Sequence, residues 1–189
     1  MMGALVSVAS ATVEERVARI RQWYSTVEAL EPVSRTVIKF DQDSDPLSGE
    51  LTIRHFPDGF ASVTVSYSAG DHDGATDHYY YRHGEVFFVF SVNEWWRFSE
   101  GSSDSAPKTE DTRVERRFYY DDASCIRQLE RSATAGQGTK LAAILSEMDQ
   151  TPVKPDGLSV EHFDRAKGLL NAEKPADVIK LYAAGEPGC

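Results

Sequence analysis

The chain has 189 residues, of which 41% are hydrophobic and 11% aromatic, so it is long enough for one domain with a sizeable core. Its formal net charge of −10 argues against nucleic acid or an anionic membrane surface as the main partner, because both require a basic footprint. No apolar run is long enough to span a bilayer, so no membrane span is expected.

The first eleven residues, Met1 to Ala11, are mostly small and apolar and end in an Ala-x-Ala pattern. This pattern is typical of the apolar region and cleavage site of a secretory signal peptide, although the positively charged start is missing. Two interpretations stay open: residues 1–11 are the remnant of a signal peptide, or they are a frayed N-terminus. The first interpretation predicts a periplasmic or secreted protein.

An amphipathic helix is predicted from about Val13 to Leu30. Thr12 and Glu15 have the spacing of a capping box, in which each side chain bonds the other residue's backbone N–H. Apolar residues then recur at helical spacing, and Pro32 ends the helix. The apolar stripe consists of Val13, Val17, Ile20, Tyr24 and Val27.

Three β-hairpins are predicted after a first strand at residues 33–40. Each has aromatic and β-branched arms around a short turn, namely Asp58-Gly59, His83-Gly84 and Asp122-Ala123. Alanine is strained by about 1 kcal/mol at positive φ, so the third turn is expected to be wider and to include Ser124.

The central hairpin, Tyr79 to Phe90, is aromatic on both faces. Alternation places Tyr79 and Tyr81 on one face and Tyr80 on the other. In the return strand it places Phe87 and Val89 on one face and Val86, Phe88 and Phe90 on the other. Both faces therefore need a cover. The helix can supply one, and the C-terminal helices, a curl of the sheet or a ligand the other.

The region from Ala133 onward differs in character. Residues 133–139 are predicted as a linker, and three short helices follow, the last of them opened by Pro175. We expect residues 12–132 and 133–189 to form one domain. Its predicted class is α+β: an N-terminal helix packed on an antiparallel meandering sheet of roughly six to eight strands, with short C-terminal helices.

The two cysteines allow two interpretations. Cys125 takes the register position of Val86, and Cys189 ends the chain. In an exported protein they could form a disulfide. The alternative is two unrelated thiols.

Two groups of residues are candidate sites. The polar loop before Tyr79 carries possible metal ligands, although a simple hairpin loop also explains them; they are Asp71, His72, Asp73, Asp77 and His78. Trp95 and Trp96, with Tyr79 and Tyr81, could form an aromatic ligand-binding surface, or could pack in the core. No catalytic, nucleotide or cofactor motif is found, so no catalytic residue and no cofactor are expected.

The order of these elements resembles a group of small, uncharacterised, exported bacterial proteins with repeated Tyr-Tyr-Phe-x-x-Gly-x-Leu hairpins. The residues concerned are Ile20 to Glu28, Tyr79 to Phe90 and Arg117 to Ile126. The resemblance covers residues 13–132 and implies export and a β-meander. It implies no activity and no site residues, and Ala123 departs from the glycine of the pattern.

Three functions are therefore expected in decreasing order. The first is an exported, non-enzymatic binding or interaction module for an unknown ligand or protein partner. The second is an inhibitor or immunity-type protein, acidic in order to meet a basic target. The third is a metal-dependent hydrolase that uses the loop residues.

Overall fold

The fold is a single antiparallel sheet with helices against it. The structure is a computed structural model that describes residues 11–42, 46–103 and 105–183. All eight strands pair in chain order from β1 to β8, which confirms the predicted α+β meander. The elements are α1 (Val13–Ala29), β1 (Ser34–Asp41), β2 (Leu47–His55), β3 (Phe60–Ala69), β4 (Asp73–Arg82), β5 (Glu85–Phe98), β6 (Thr109–Asp121), β7 (Ser124–Gly136), α2 (Leu141–Ser146), β8 (Thr151–Val153), α3 (Gly157–Leu169) and α4 (Pro175–Ala183).

Helix α1 forms as the sequence predicts. The Thr12 hydroxyl accepts a hydrogen bond from the Glu15 N–H, and the Glu15 carboxylate accepts one from the Thr12 N–H. Val17, Ile20 and Val27 of the apolar stripe are buried against the sheet. The capping box therefore fixes where the helix starts, and the stripe fixes which side it buries.

The turns of the second and third hairpins have two residues each. His83 and Gly84 have φ values of 51° and 85°, and Asp122 and Ala123 have values of 47° and 62°. The expected wider turn was wrong, because Ser124 already pairs with Asp121 in the ladder. The register of the flanking strands thus outweighs the strain of about 1 kcal/mol at the alanine.

Both of these hairpins contain a β-bulge close to the turn. Tyr80 pairs with Phe88 and Tyr81 with Val86, which leaves Phe87 as the extra residue in β5. The predicted faces of β5 were therefore wrong at this end. Phe87 and Phe88 pack on the same side of the sheet, while Val86 packs on the other side with Tyr81. A bulge reverses the alternation of every residue between it and the turn.

The sheet has a hydrophobic core on each side. The α1-side core contains Val17, Ile20, Val27, Phe56, Phe60, Tyr80, Phe87, Phe88, Tyr119 and Leu129. The α3–α4 core joins buried residues of β1 to β6 to those of the C-terminal helices and the loop between them, which are Ala166, Leu169, Ala172, Val178 and Tyr182. The C-terminal helices therefore supply the second cover that the central hairpin requires.

The C-terminal part follows the prediction in outline. Strand β7 continues to Gly136, through residues expected to be linker, before α2 packs against β6 and β7. Cys125 is a half-buried free thiol that packs beside the α3–α4 core, and burial raises its pKa. Cys189 and the suggested signal-peptide residues 1–10 lie outside the described residues, so the disulfide and export interpretations stay predictions.

Candidate functional site

Tyr79 and Tyr81, predicted as part of an aromatic surface, lie inside the α3–α4 core. Their exposed fractions are 0% and 1%. The Tyr81 hydroxyl donates to the carbonyl of Ala166 in α3 at 3.0 Å. The two tyrosines therefore fasten the C-terminal helices to β4 and contribute no open surface.

A buried chain of hydrogen bonds links α3, β4 and α4. The Tyr182 hydroxyl donates to Oδ2 of Asp77 at 3.0 Å and lies 3.3 Å from the Tyr79 hydroxyl. The Tyr79 hydroxyl also lies 3.0 Å from Nδ1 of His162. Because Tyr182 has only one proton, Tyr79 must donate to Tyr182 and accept from the Nδ1–H of His162 if all three bonds form.

The side chains of this hydrogen-bond chain are shielded from water. Burial lowers the pKa of His162 and raises the pKa of Tyr79 and Tyr182 well above their usual value. The second oxygen of Asp77, Oδ1, is buried without a hydrogen-bond partner among the described residues. The hydrogen-bond chain thus consists of a neutral histidine and two neutral tyrosines and ends on one carboxyl group.

Trp95 and Trp96 lie on opposite faces of β5. The ladder with β6 is regular from Phe88 to Phe98, so Trp96 shares the α1 side with Phe88 and Trp95 lies on the α3–α4 side. The two indoles therefore cannot form one platform. Two cavities lie at the end of the sheet away from the His83-Gly84 turn; Trp96 lines one of them, and Trp95 lines both.

The indole of Trp96 is held by its neighbours. Its ring lies 3.9 Å from the ring of His72, centroid to centroid, and meets the edge of Phe98 at 5.6 Å. Its Nε1–H donates to the carbonyl of Asp71 at 3.1 Å. The adjoining cavity, of about 600 Å³, is open and includes Trp95, Lys140 and the start of α2 in its lining.

The indole of Trp95 is half-buried and has neither a ring contact nor a hydrogen bond to the described residues. It lines a second cavity, of about 510 Å³, which we call the Trp95 cleft. Tyr67 and Tyr182 form an aromatic pair in its wall, with ring centroids 4.7 Å apart. The apolar members of the lining are Leu47, Ala69, Ala75, Leu158 and Ala183.

The charged groups of the Trp95 cleft balance one another. Arg165 lies 4.4 Å above the Tyr182 ring and pairs with Glu161. Arg116 donates to Glu130 at 2.6 Å and to Asn93 at 3.1 Å. With Asp73 and Glu94 also in the lining, two cations face two carboxylates. The cleft therefore combines apolar walls, polar groups and no net charge.

The loop residues predicted as possible metal ligands lie apart. Strand β4 begins at Asp73, so Asp77 and His78 are strand neighbours on opposite faces. His78 lies 3.2 Å from the Thr64 hydroxyl, and burial lowers its pKa. In the part of the chain that the structure describes, no three His, Cys, Asp or Glu residues are grouped so that they could hold a metal ion.

Sequence reasoning missed most of the Trp95 cleft. Tyr67, Arg116, Arg165 and Tyr182 come from four different elements, and none belongs to a recognisable motif. Period-two alternation, applied to Trp95 and Trp96, already separates the two indoles. It gives no information on which helix residues come to lie opposite Trp95.

Comparisons with known proteins add no relative. No family model, no curated protein and no solved structure matches the chain. The similarity to exported bacterial hairpin proteins therefore stays a prediction. None of the helices in the described ranges is long and apolar enough to cross a membrane.

Proposed function

We propose that this protein is a non-enzymatic binding module that holds a small, uncharged, partly apolar molecule in the Trp95 cleft. The observation that carries the proposal is the half-buried indole of Trp95, which has no partner among the described residues and faces a cavity of about 510 Å³. Cavities of roughly 300–1,000 Å³ with apolar walls and a few polar groups are typical ligand sites.

The lining favours particular properties in the ligand. Trp95, Tyr67 and Tyr182 all belong to the lining, and aromatic side chains there favour a ligand with a flat or saturated ring. The Nε1–H of Trp95 is a donor only, so the ligand needs an acceptor such as a carbonyl or hydroxyl group. Since the charges of the lining balance, a neutral ligand loses less hydration on entering than a charged one.

The predicted export and a role outside the cytoplasm belong to the same proposal. They are supported by the Ala-x-Ala pattern at Ala9 to Ala11 and by the resemblance of residues 13–132 to exported proteins.

The experiment uses the indole N–H signals of the chain's three tryptophans in a ¹H–¹⁵N NMR spectrum. 2-Naphthamide, a neutral ring compound with a carbonyl acceptor, serves as the probe. We expect it to shift one indole signal in a saturable way, and Trp95→Phe should abolish that signal and weaken binding about tenfold. Trp96→Phe is the matched control, since it changes the adjacent tryptophan on the opposite face.

Two results would overturn the proposal. One is that 2-naphthamide leaves the Trp95 indole signal unmoved up to its solubility limit and that other neutral ring compounds do the same. The other is that Trp95→Phe and Trp96→Phe weaken binding equally, because the Trp95 cleft would then not be the binding site.

A further inference from the structure

A further cavity, separate from the Trp95 cleft, lies on the other side of the sheet. We call it the α1 trough; its volume is about 340 Å³. Its floor is aromatic and comes from Phe88 and Phe90 of β5 and Tyr119 of β6. One turn of α1, including Arg21 and Tyr24, forms its wall.

Arg117 stands at the sheet side of the trough. Its guanidinium carbon lies 4.6 Å from the centre of the Phe90 ring, and 25% of its side chain is exposed. Its Nη1 atom is buried and makes no hydrogen bond to the described residues. Its closest carboxylate oxygen is Oε2 of Glu115, at 3.9 Å from Nη1, which is beyond hydrogen-bond distance.

Glu115 offsets the charge of Arg117 only in part, because two other arginines already share this carboxylate. Arg131 donates twice to Oε2 of Glu115, at 2.7 and 2.8 Å, and Arg113 donates to Oε1 at 3.1 Å. Arg113 also pairs with Glu94 at 2.7 Å. Three arginines thus share two glutamates, which leaves one positive charge in excess beside the trough.

The pKa of Arg117 agrees with this incomplete compensation. Burial lowers the pKa of Arg117 most and the neighbouring charge of Arg131 lowers it further, while the carboxylate of Glu115 raises it. A guanidinium remains charged at neutral pH even so, because its ordinary pKa exceeds 12. The position therefore holds a cation that is partly removed from water and lacks a counter-ion of its own.

A second cation faces the same space from the helix. Arg21 lies with its guanidinium carbon 5.8 Å from the ring centre of Tyr119. The lining contains these two arginines and no carboxylate. The linings of the Trp95 cleft and of the cavity beside Trp96 each contain two acidic residues, so the α1 trough differs from both in charge.

We propose that the α1 trough binds an organic anion whose carboxylate or related head group pairs with Arg117 and Arg21 and whose apolar body lies on Phe88, Phe90 and Tyr119. A guanidinium suits this role because it offers two parallel N–H donors to a carboxylate and stacks on aromatic rings. An inorganic anion would meet the same charges but would leave the aromatic floor exposed, so the body of the ligand matters as much as its head group.

Isothermal titration of the full chain with 2-naphthoate tests the proposal, and 2-naphthamide serves as the uncharged isostere. The titration is repeated with Trp95→Phe, and the heat of binding that this variant retains is assigned to the α1 trough. We expect 2-naphthoate to bind there at least tenfold more tightly than 2-naphthamide, and added salt to weaken the binding.

Three variants locate the anion. Arg117→Met keeps an apolar chain of similar length over Phe90 and should weaken 2-naphthoate binding at least tenfold. Arg21→Gln changes an exposed helix position and should weaken it about threefold without affecting folding. Arg35→Met removes one positive charge from the exposed edge strand β1 and is the charge-matched control, with unchanged affinity expected.

The proposal is overturned if 2-naphthoate and 2-naphthamide bind the trough with equal affinity. It is also overturned if Arg117→Met folds and both Arg117→Met and Arg21→Gln bind 2-naphthoate as tightly as the control Arg35→Met does. If Arg117→Met fails to fold, Arg21→Gln and the salt dependence decide alone. Since these variants lie on the opposite side of the sheet from Trp95, the outcome is separate from that of the 2-naphthamide experiment on the Trp95 cleft.

Discussion

Removing the Tyr182 hydroxyl should destabilise the protein strongly, because this group is the hydrogen-bond donor to buried Asp77. The bond to Oδ2 of Asp77 is 3.0 Å long, and the contact with the Tyr79 hydroxyl is 3.3 Å. A hydrogen bond to a charged group is worth about 1.5–3 kcal/mol, and a buried polar group left unsatisfied costs about 1–3 kcal/mol. Since Oδ1 of Asp77 already lacks a partner, we expect Tyr182→Phe to cost about 3 kcal/mol.

Urea unfolding followed by circular dichroism measures this loss as a lower midpoint with an unchanged slope. Tyr67→Phe is the matched control, because Tyr67 is the ring neighbour of Tyr182 and its hydroxyl makes no hydrogen bond to the described residues. Its expected cost is below about 1 kcal/mol. A loss of less than 1 kcal/mol for Tyr182→Phe, or equal losses for the two variants, would refute the reasoning.

A double-mutant cycle assigns the loss to the right partner. Asp77→Asn keeps the shape of the side chain but removes the carboxylate charge. If Tyr182 acts mainly through Asp77, the two substitutions should be non-additive by at least about 1 kcal/mol, the range measured for residues in direct contact. Additive losses would mean that the hydroxyl acts through Tyr79 and His162 instead.

Four further variants have expected results. Ala123→Gly should stabilise the protein by about 0.5–1 kcal/mol in urea unfolding, and Gly84→Ala should destabilise it by about 1 kcal/mol, because both positions have positive φ and a Cβ added at Gly84 would meet no other group. Gly49→Ala should reduce the free energy of unfolding by roughly 3 kcal/mol, measured as a lower thermal midpoint, because the new Cβ would lie 2.2 Å from the backbone oxygen of Ser66. The pKa of His162 is lowered in the folded state, so at pH values just below the ordinary histidine pKa the unfolded chain binds more protons than the folded one. Stability should therefore fall as the pH drops below about 6.5, by at most about 1.4 kcal/mol per pH unit, and unfolding curves of His162→Gln should lack that part of the slope.

The hairpins could be predicted because their signals are local. His83-Gly84 and Asp58-Gly59 are residue types that accept positive φ, and the arms on both sides have β propensity. The start of α1 was equally local, since Thr12 and Glu15 carry the whole capping box. In each case the residues that determine the structure are within a few positions of it.

The bulges could not be predicted in the same way. Nothing in the composition of β5 distinguishes Phe87, the extra residue, from Phe88, which pairs with Tyr80. The extra residue is accommodated because both rings find a place in the α1-side core, and that core depends on where α1 packs. The assignments of Val86 and Phe87 failed for this reason, whereas Tyr79, Tyr80 and the residues of β5 from Phe88 to Phe90 kept their predicted faces.

The candidate sites were the least predictable part, because their residues are distant in sequence. Tyr182 follows Asp77 by 105 positions, and His162 follows Tyr79 by 83. These pairs meet only because α3 and α4 pack on the central strands through apolar contacts that many helices could make. Local sequence patterns predict that such helices form, whereas their position on the sheet depends on packing.

The net charge of −10 and the proposed anion site are compatible, because they act over different distances. A polyanion such as nucleic acid meets the whole surface, where repulsion from many carboxylates adds up. A small anion in the α1 trough lies within hydrogen-bond reach of its partners, while exposed charges farther away than about 8 Å are screened at physiological salt. Arg117 and Arg21, the two charged residues of the lining, therefore set the local potential for such a ligand.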